Sequence, residues 1–207
     1  MNNTHVIINI GRQAGSGGVE IGKLLAQKMQ IKFYDKALIK LAAKESGLDS
    51  TYFEKADEKP SSNFFYALTH NLFGFNNETV LSNNALFQMQ SDVIRKLASE
   101  NSCVIVGRTS DYILRDFKNC INIFIHAPLE SRVATIIKNK GISEHQARHL
   151  INTMDKKRAN YYNYYTNKQW GYAESYHLCL DSSVWGTEGS VEFIKLFVEQ
   201  KLKLSIV

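Results

Sequence analysis

Residues 5–29 read HVIINIGRQAGSGGVEIGKLLAQKM, and the fold follows from this stretch. His5–Ile10 is a short β-branched apolar run, the composition of a buried strand. Val19–Met29 then places Ile21, Leu24, Leu25 and Met29 on one helical face, with Lys23, Gln27 and Lys28 opposite. Between them lies RQAGSGG. A strand, a glycine-rich turn and a helix N-terminus together make an anion site, because backbone N–H groups and the positive end of the helix converge there. This is the first strand of the chain, where the phosphate loops of mononucleotide-binding folds lie. The common GxxxxGK[ST] pattern is met only in its middle, at Gly15-Ser16-Gly17. Gly18 stands at the Lys position and Arg12 at the first Gly. A dinucleotide GxGxxG reading fits worse, since Glu20 falls where a small residue belongs. The turn therefore reads as a phosphate cradle, against a plain glycine turn or a dinucleotide site. In the phosphate reading, Arg12 is the local cation that replaces the lysine.

Outward from this unit, apolar strand runs recur at Ile31–Tyr34, Cys103–Val106, Ile121–Ile125 and His177–Leu180. They are continuous rather than alternating, as expected for strands covered on both faces of a parallel sheet. Helical patterns fall between them. Asp35 reads as an N-cap for Lys36–Glu45, with Gly47 as the stop, and Leu86–Ser99 is amphipathic. Ser143 caps Glu144–Lys157, with Gln146 at capping-box spacing, and Gly186–Leu202 closes the chain. The expectation is α/β: a five-stranded parallel sheet in three layers, in one domain spanning 1–207. Its core is 1–47, 101–140 and 176–207. Two helical insertions, about 48–100 and about 141–175, interrupt the βα rhythm. The first contains the aromatic stretch Phe64–Phe75, which reads as a packed cap or a homodimer surface.

The chain has 207 residues, 25 Lys+Arg against 20 Asp+Glu, and 44% hydrophobic residues, which excludes disordered and collagen-like classes. The longest apolar run, Cys120–Leu129, is too short for a membrane span, and the N-terminal residues lack a signal-peptide pattern. A net charge of +5 without a basic block argues for a small anionic ligand and against nucleic acid. Cys103, Cys120 and Cys179 lie in apolar runs with no CxxC spacing. They read as reduced, buried thiols of a cytoplasmic protein rather than as disulfide or zinc ligands.

The blocks GRQAGSGGVEIGKLLA (11–26), FYDKALIKLAAKESGL (33–48), CVIVGRTSDYILRD (103–116), IFIHAPLESR (123–132), MDKKRANYYNYYTNKQWG (154–171) and YHLCLDSS (176–183) resemble, in order, the cytidylate kinase-like family of P-loop nucleoside monophosphate kinase relatives. The resemblance implies a P-loop NTPase-type fold with monophosphate-site and lid insertions. It also implies transfer of the ATP γ-phosphate to CMP, dCMP or a related acceptor, with Mg²⁺ between the phosphates. Residue by residue, it puts donor phosphates on the loop Arg12, Gln13, Ala14, Gly15, Ser16, Gly17 and Gly18. It puts the acceptor on Asp35, Lys40, Arg108, Asp155 and Arg158, and it casts Arg12, Arg132 and Arg158 as the charge-neutralising arginines of transfer. Mg²⁺ has no standard ligand here, leaving Ser16 or Glu20. Leu41 stands where the family carries Arg, and the lid is Tyr-rich rather than Arg-rich.

Phosphoryl transfer needs alignment and charge cancellation more than covalent help, which is why arginines from separate segments matter. The blander readings are a helix-start Arg108, an Arg132–Glu130 ion pair, a surface Asp155–Arg158 pair, a plain N-cap at Asp35 and a solvated Arg12. Arg148 reads as solvated and His126 as structural. Tyr161, Tyr162, Tyr164, Tyr165 and Trp170 suit either a base-stacking lid or helix packing. The rival functions are a non-catalytic nucleotide-binding or regulatory protein, argued from Gly18, and a kinase for another small acceptor.

Overall fold

The computed structural model describes residues 5–35 and 77–204. The chain divides into two compact units, Met1–Asp35 with Ala98–Val207, and Lys36–Leu97. The expected helix Lys36–Glu45, Lys40 and the aromatic stretch Phe64–Phe75 lie outside the described residues.

In the larger unit, β1 (Ile7–Arg12) leads to α1 (Gly18–Lys28) and β2 (Lys32–Tyr34). α2 (Asn77–Glu100) enters from the smaller unit and is followed by β3 (Cys103–Val106), α3 (Ser110–Ile113) and β4 (Cys120–His126). Next come α4 (Leu129–Lys140), α5 (Glu144–Thr166), β5 (Leu178–Asp181) and α6 (Ser182–Leu204). Among the described residues the sheet has five strands, all parallel, in the order β2-β3-β1-β4-β5. All C-terminal strand ends therefore share one edge, where open parallel sheets bind ligands.

The apolar runs sit where continuous burial demands. Ile8, Ile10, Val104, Val106, Ile121, Ile123, Ile125 and Leu180 form one core with Ile21 and Leu25 of α1 and Val191, Ile194 and Val198 of α6. A second cluster joins Ala14 to Val133 and Ile136 of α4 and Ala147 and Ile151 of α5. It seats the glycine turn on two helices. On the other sheet face, Phe124 meets Trp170 edge-on at 5.2 Å and Tyr176 at 5.0 Å.

Several element ends differ from expectation. β1 runs on through Gly11 and Arg12 because β4 offers Phe124 and Ile125 as ladder partners. The capping box at Ser143 and Gln146 forms, but α5 continues past Lys157 to Thr166. Tyr162 is 4% exposed and Thr166 5%, so burial extends a helix that composition alone would end. α6 begins at Ser182 and breaks at Gly186 (φ 61°, ψ −175°). α4, between Pro128 and Gly141, was not anticipated as a helix. Gly141 closes it at φ 64°, donating to the Ile137 carbonyl at 2.8 Å. Cys179 is only partly buried, whereas Cys103 and Cys120 are buried, and all three are free. Burial pushes the Cys103 thiol up to about 12 and the Cys120 thiol up to about 11, so both are inert.

α1 crosses the sheet closely at Gly22, where an added Cβ would lie 2.9 Å from Val106 Cγ2 and 3.1 Å from Ile10 Cδ1. Gly22→Val must lift the helix off the strands. The expected cost is about 1–3 kcal/mol, read as a fall in Tm of roughly 2–10 °C. An unchanged melting curve would show that the helix–sheet spacing is not set here.

Candidate functional site

The turn after β1 is held from several sides. Gln13 N–H donates to the Ile125 carbonyl at 3.0 Å. The buried Ser16 hydroxyl lies 2.9 Å from the Gln13 carbonyl and 3.2 Å from that of Ile125. The Ser182 hydroxyl, at the start of α6, reaches the Ser16 carbonyl at 2.7 Å and that of His126 at 3.1 Å. Gly15 (φ 80°) packs so tightly on α4 that a Cβ would lie 2.7 Å from the Arg132 carbonyl oxygen. Gly17 (φ 73°) caps α1 without a side chain, leaving the first helical amides with no intrahelical acceptor.

Ala14 is gripped by both of its backbone groups. Its N–H donates to Asp155 Oδ1 at 2.7 Å, and its carbonyl accepts from Arg132 Nη1 at 3.3 Å. Arg132 Nη1 also donates to Asp155 Oδ2 at 2.6 Å, closing the triangle. Arg132 thus pairs with Asp155, while Glu130 pairs with Arg148 on the surface. One turn along α5, Arg158 Nη1 donates to the Arg12 carbonyl at 3.1 Å and stands 3.6 Å from Asp155 Oδ1. The Asp155 and Arg158 side chains are 17% and 20% exposed, so this is no surface pair. Burial pulls the Arg158 guanidinium below its ordinary value; Asp155 pushes back and Arg108 adds to the depression. Cationic groups from β1, the exit of β3, α4 and α5 therefore gather around one loop.

Arg12 lies in a channel made by two glycines. A Cβ on Gly18 would sit 2.6 Å from Arg12 Cβ, and a Cβ on Gly107 would sit 2.1 Å from Arg12 Nη1. The side chain crosses the start of α1 and ends against the exit of β3. That exit is unusual: Gly107, Arg108 and Thr109 all have positive φ, at 79°, 63° and 52°. Non-glycine residues at such angles are uncommon, and they mark the turn that carries Arg108 out of the strand end. Asp35 follows β2 at the same edge of the sheet.

Sequence reasoning missed the contacts that anchor this edge. Tyr162 donates its hydroxyl to Asp111 Oδ2 at 2.8 Å, three residues past Arg108. Asp155, Arg158 and Tyr162 are spaced i, i+3, i+7 on α5, so one face of that helix faces the loop and the β3 exit. That spacing was the available signal, but it names a face and not its partner. Among the described residues no group of three or more His, Cys, Asp or Glu side chains could hold a metal, and no helix is long and apolar enough to cross a membrane.

Residues 7–184 match the model of the cytidylate kinase-like family. A cytidylate kinase of Methanopyrus kandleri is 24% identical, covering 96% of this chain and 95% of that protein. One of Methanocaldococcus jannaschii is also 24% identical, covering 96% and 100%. The crystal structure of an uncharacterized protein from Eubacterium ventriosum superposes with a TM-score of 0.70 at 25% identity, covering 94% of this chain and 99% of that one. Shikimate kinase from Bacteroides thetaiotaomicron shares the fold at a TM-score of 0.55 and 13% identity, covering 94% and 98%.

Burial pushes the Asp111 carboxyl above its ordinary range, although the Tyr162 hydroxyl and the charge of Lys168 pull it down. With the folded value above the unfolded ~3.9, the ionised form costs stability at neutral pH. That cost fades as pH falls through the raised value. Asp111→Asn keeps an acceptor for Tyr162 without the charge. In urea unfolding it should be more stable than the parent at neutral pH, with the gap closing toward about pH 4. A gap that does not change with pH would exclude this account.

Proposed function

The chain belongs to the cytidylate kinase-like family, and on that premise we propose that it is a nucleoside monophosphate kinase moving the ATP γ-phosphate to CMP, dCMP or a related acceptor. Family and fold together support a phosphotransferase. The observation that carries the finer reading is the cluster at Ala14: a glycine turn at a helix N-terminus, with Arg12, Arg108, Arg132 and Arg158 brought around it.

In this reading the donor phosphates lie on the turn 12–18, facing the free amides at the start of α1. Arg12 supplies the cation that a lysine supplies elsewhere, and its guanidinium can span two oxygens. Arg132 and Arg158 cancel charge on the transferring group. The acceptor approaches from the β2–β3 side, where Arg108 is held, with Asp35 at the neighbouring strand end. The acceptor phosphate is already an anion, so no general base is required. α5 excludes water that would otherwise take the phosphoryl group.

Magnesium would neutralise charge between the phosphates. Ser16 does not fit as its ligand, because its buried hydroxyl is turned to the carbonyls of Gln13 and Ile125. Glu20, exposed in the first turn of α1, offers the hard oxygen such a cation takes.

One observation favours a second reading, a nucleotide-binding protein without catalysis: Arg12 fills the space in which a side chain at position 18 would start. A coupled assay of ADP release with a panel of monophosphates separates the two. CMP or dCMP should raise release above the ATP-only rate, and Arg12→Ala should weaken ATP binding by about ten-fold or more. ATP binding with no acceptor-dependent release leaves the non-catalytic reading standing. An unchanged ATP affinity in Arg12→Ala removes Arg12 from the donor site.

A further inference from the structure

Arg12 starts on the glycine turn and ends at a different strand. A Cβ on Gly18, at the start of α1, would sit 2.6 Å from Arg12 Cβ. The other end of the side chain is at the exit of β3, where a Cβ on Gly107 would meet Nη1 at 2.1 Å, Cζ at 3.0 Å and Nη2 at 3.5 Å. The whole guanidinium is therefore seated beside Gly107, one residue before Arg108. Arg158 donates to the Arg12 carbonyl at 3.1 Å. Burial and, after it, the nearby charge of Arg108 hold the Arg158 guanidinium down, so these cations share one neighbourhood. Arg12 is only partly buried. Its planar fork carries several N–H donors, whereas a lysine offers a single point charge.

We propose that Arg12 is a bridging residue, whose guanidinium at the β3 exit contacts the terminal phosphate of the donor and the phosphate of the acceptor together. The inference rests on the turn being the donor-phosphate site and the β3 exit the acceptor side. Phosphates that must meet for transfer repel each other, and a cation between them offsets that repulsion and aligns them. An acceptor oxygen forms the new P–O bond with its own electron pair while the bond to the ADP oxygen breaks, and ADP leaves with that pair. Arg12 gives and takes no proton in this step. A cation confined to the donor turn would serve ATP alone. One that ends at Gly107 holds the acceptor as well, and each ligand places it for the other.

Titration calorimetry on the full chain tests this, with CMP and with the β,γ-imido analogue of ATP as probes. Arg12→Gln keeps the stem in its glycine channel and removes the charge. It should bind each probe alone about ten-fold more weakly than the parent does. A loss for the ATP analogue with CMP binding unchanged makes Arg12 a donor-side cation only, which overturns the bridge and leaves the proposed function intact. A loss for CMP alone overturns it equally. A parent that binds neither probe overturns both readings. The unmodified protein gives a second measurement should the variant fold poorly. Saturating ATP analogue should tighten its CMP binding, and unchanged or weaker binding overturns the proposal. In Arg12→Gln that tightening should disappear. A variant that binds both probes weakly but keeps the tightening has lost fit rather than a bridge, and the proposal falls.

Discussion

The buried pair of Arg132 and Asp155 is the contact on which the C-terminal edge of the sheet depends. Taking both charges out of water is costly, and the pair alone would not recover it. Ala14 supplies what is missing, a donor for the carboxylate and an acceptor for the guanidinium. The same three-way contact freezes the glycine turn, joins α4 to α5 and holds Arg158 within reach of β1. Removing one partner would leave a buried charge, a loose turn and a detached helix together, so these parts cannot vary independently.

The arrangement also explains how a loop lacking the usual lysine remains strongly cationic. Arg12 enters from the strand rather than the helix, and two glycines give it passage. The hydroxyl at Ser16 is turned to backbone carbonyls and braces the turn against β4. Charge is thus concentrated in arginines, two of them directed by neighbouring backbone: Arg158 on the Arg12 carbonyl and Arg132 on that of Ala14. Rigid donors suit a reaction that asks chiefly for alignment and charge cancellation.

Much of the fold was legible because parallel strands buried on both faces must be continuously apolar, and Cys103–Val106 was read to the residue. The ends were not, since Gly11 and Arg12 become strand only through pairing with Phe124 and Ile125. The arginines were legible as residue types at strand ends and helix starts. Their partners were not. The spacing of Asp155, Arg158 and Tyr162 names a helix face, but that Asp155 meets Ala14, 141 positions away, is a tertiary fact. Asp111 carried no signal at all, because a lone acidic residue after a strand looks solvated until Tyr162 arrives. Gly18 was legible as a missing lysine and not as the space that Arg12 needs.

That last point bears on descent. Positions 12 and 18 compete for one volume, so a side chain at 18 requires glycine at 12, and an arginine at 12 requires glycine at 18. A side chain added first at 18 meets Arg12 in a clash, and Arg12 removed first leaves the loop with neither cation. A lineage in this arrangement cannot return to a lysine-bearing loop one substitution at a time without passing through a damaged intermediate. The two forms of the loop are therefore separated by a valley, and in any set of related sequences the two positions should change as a pair or not at all.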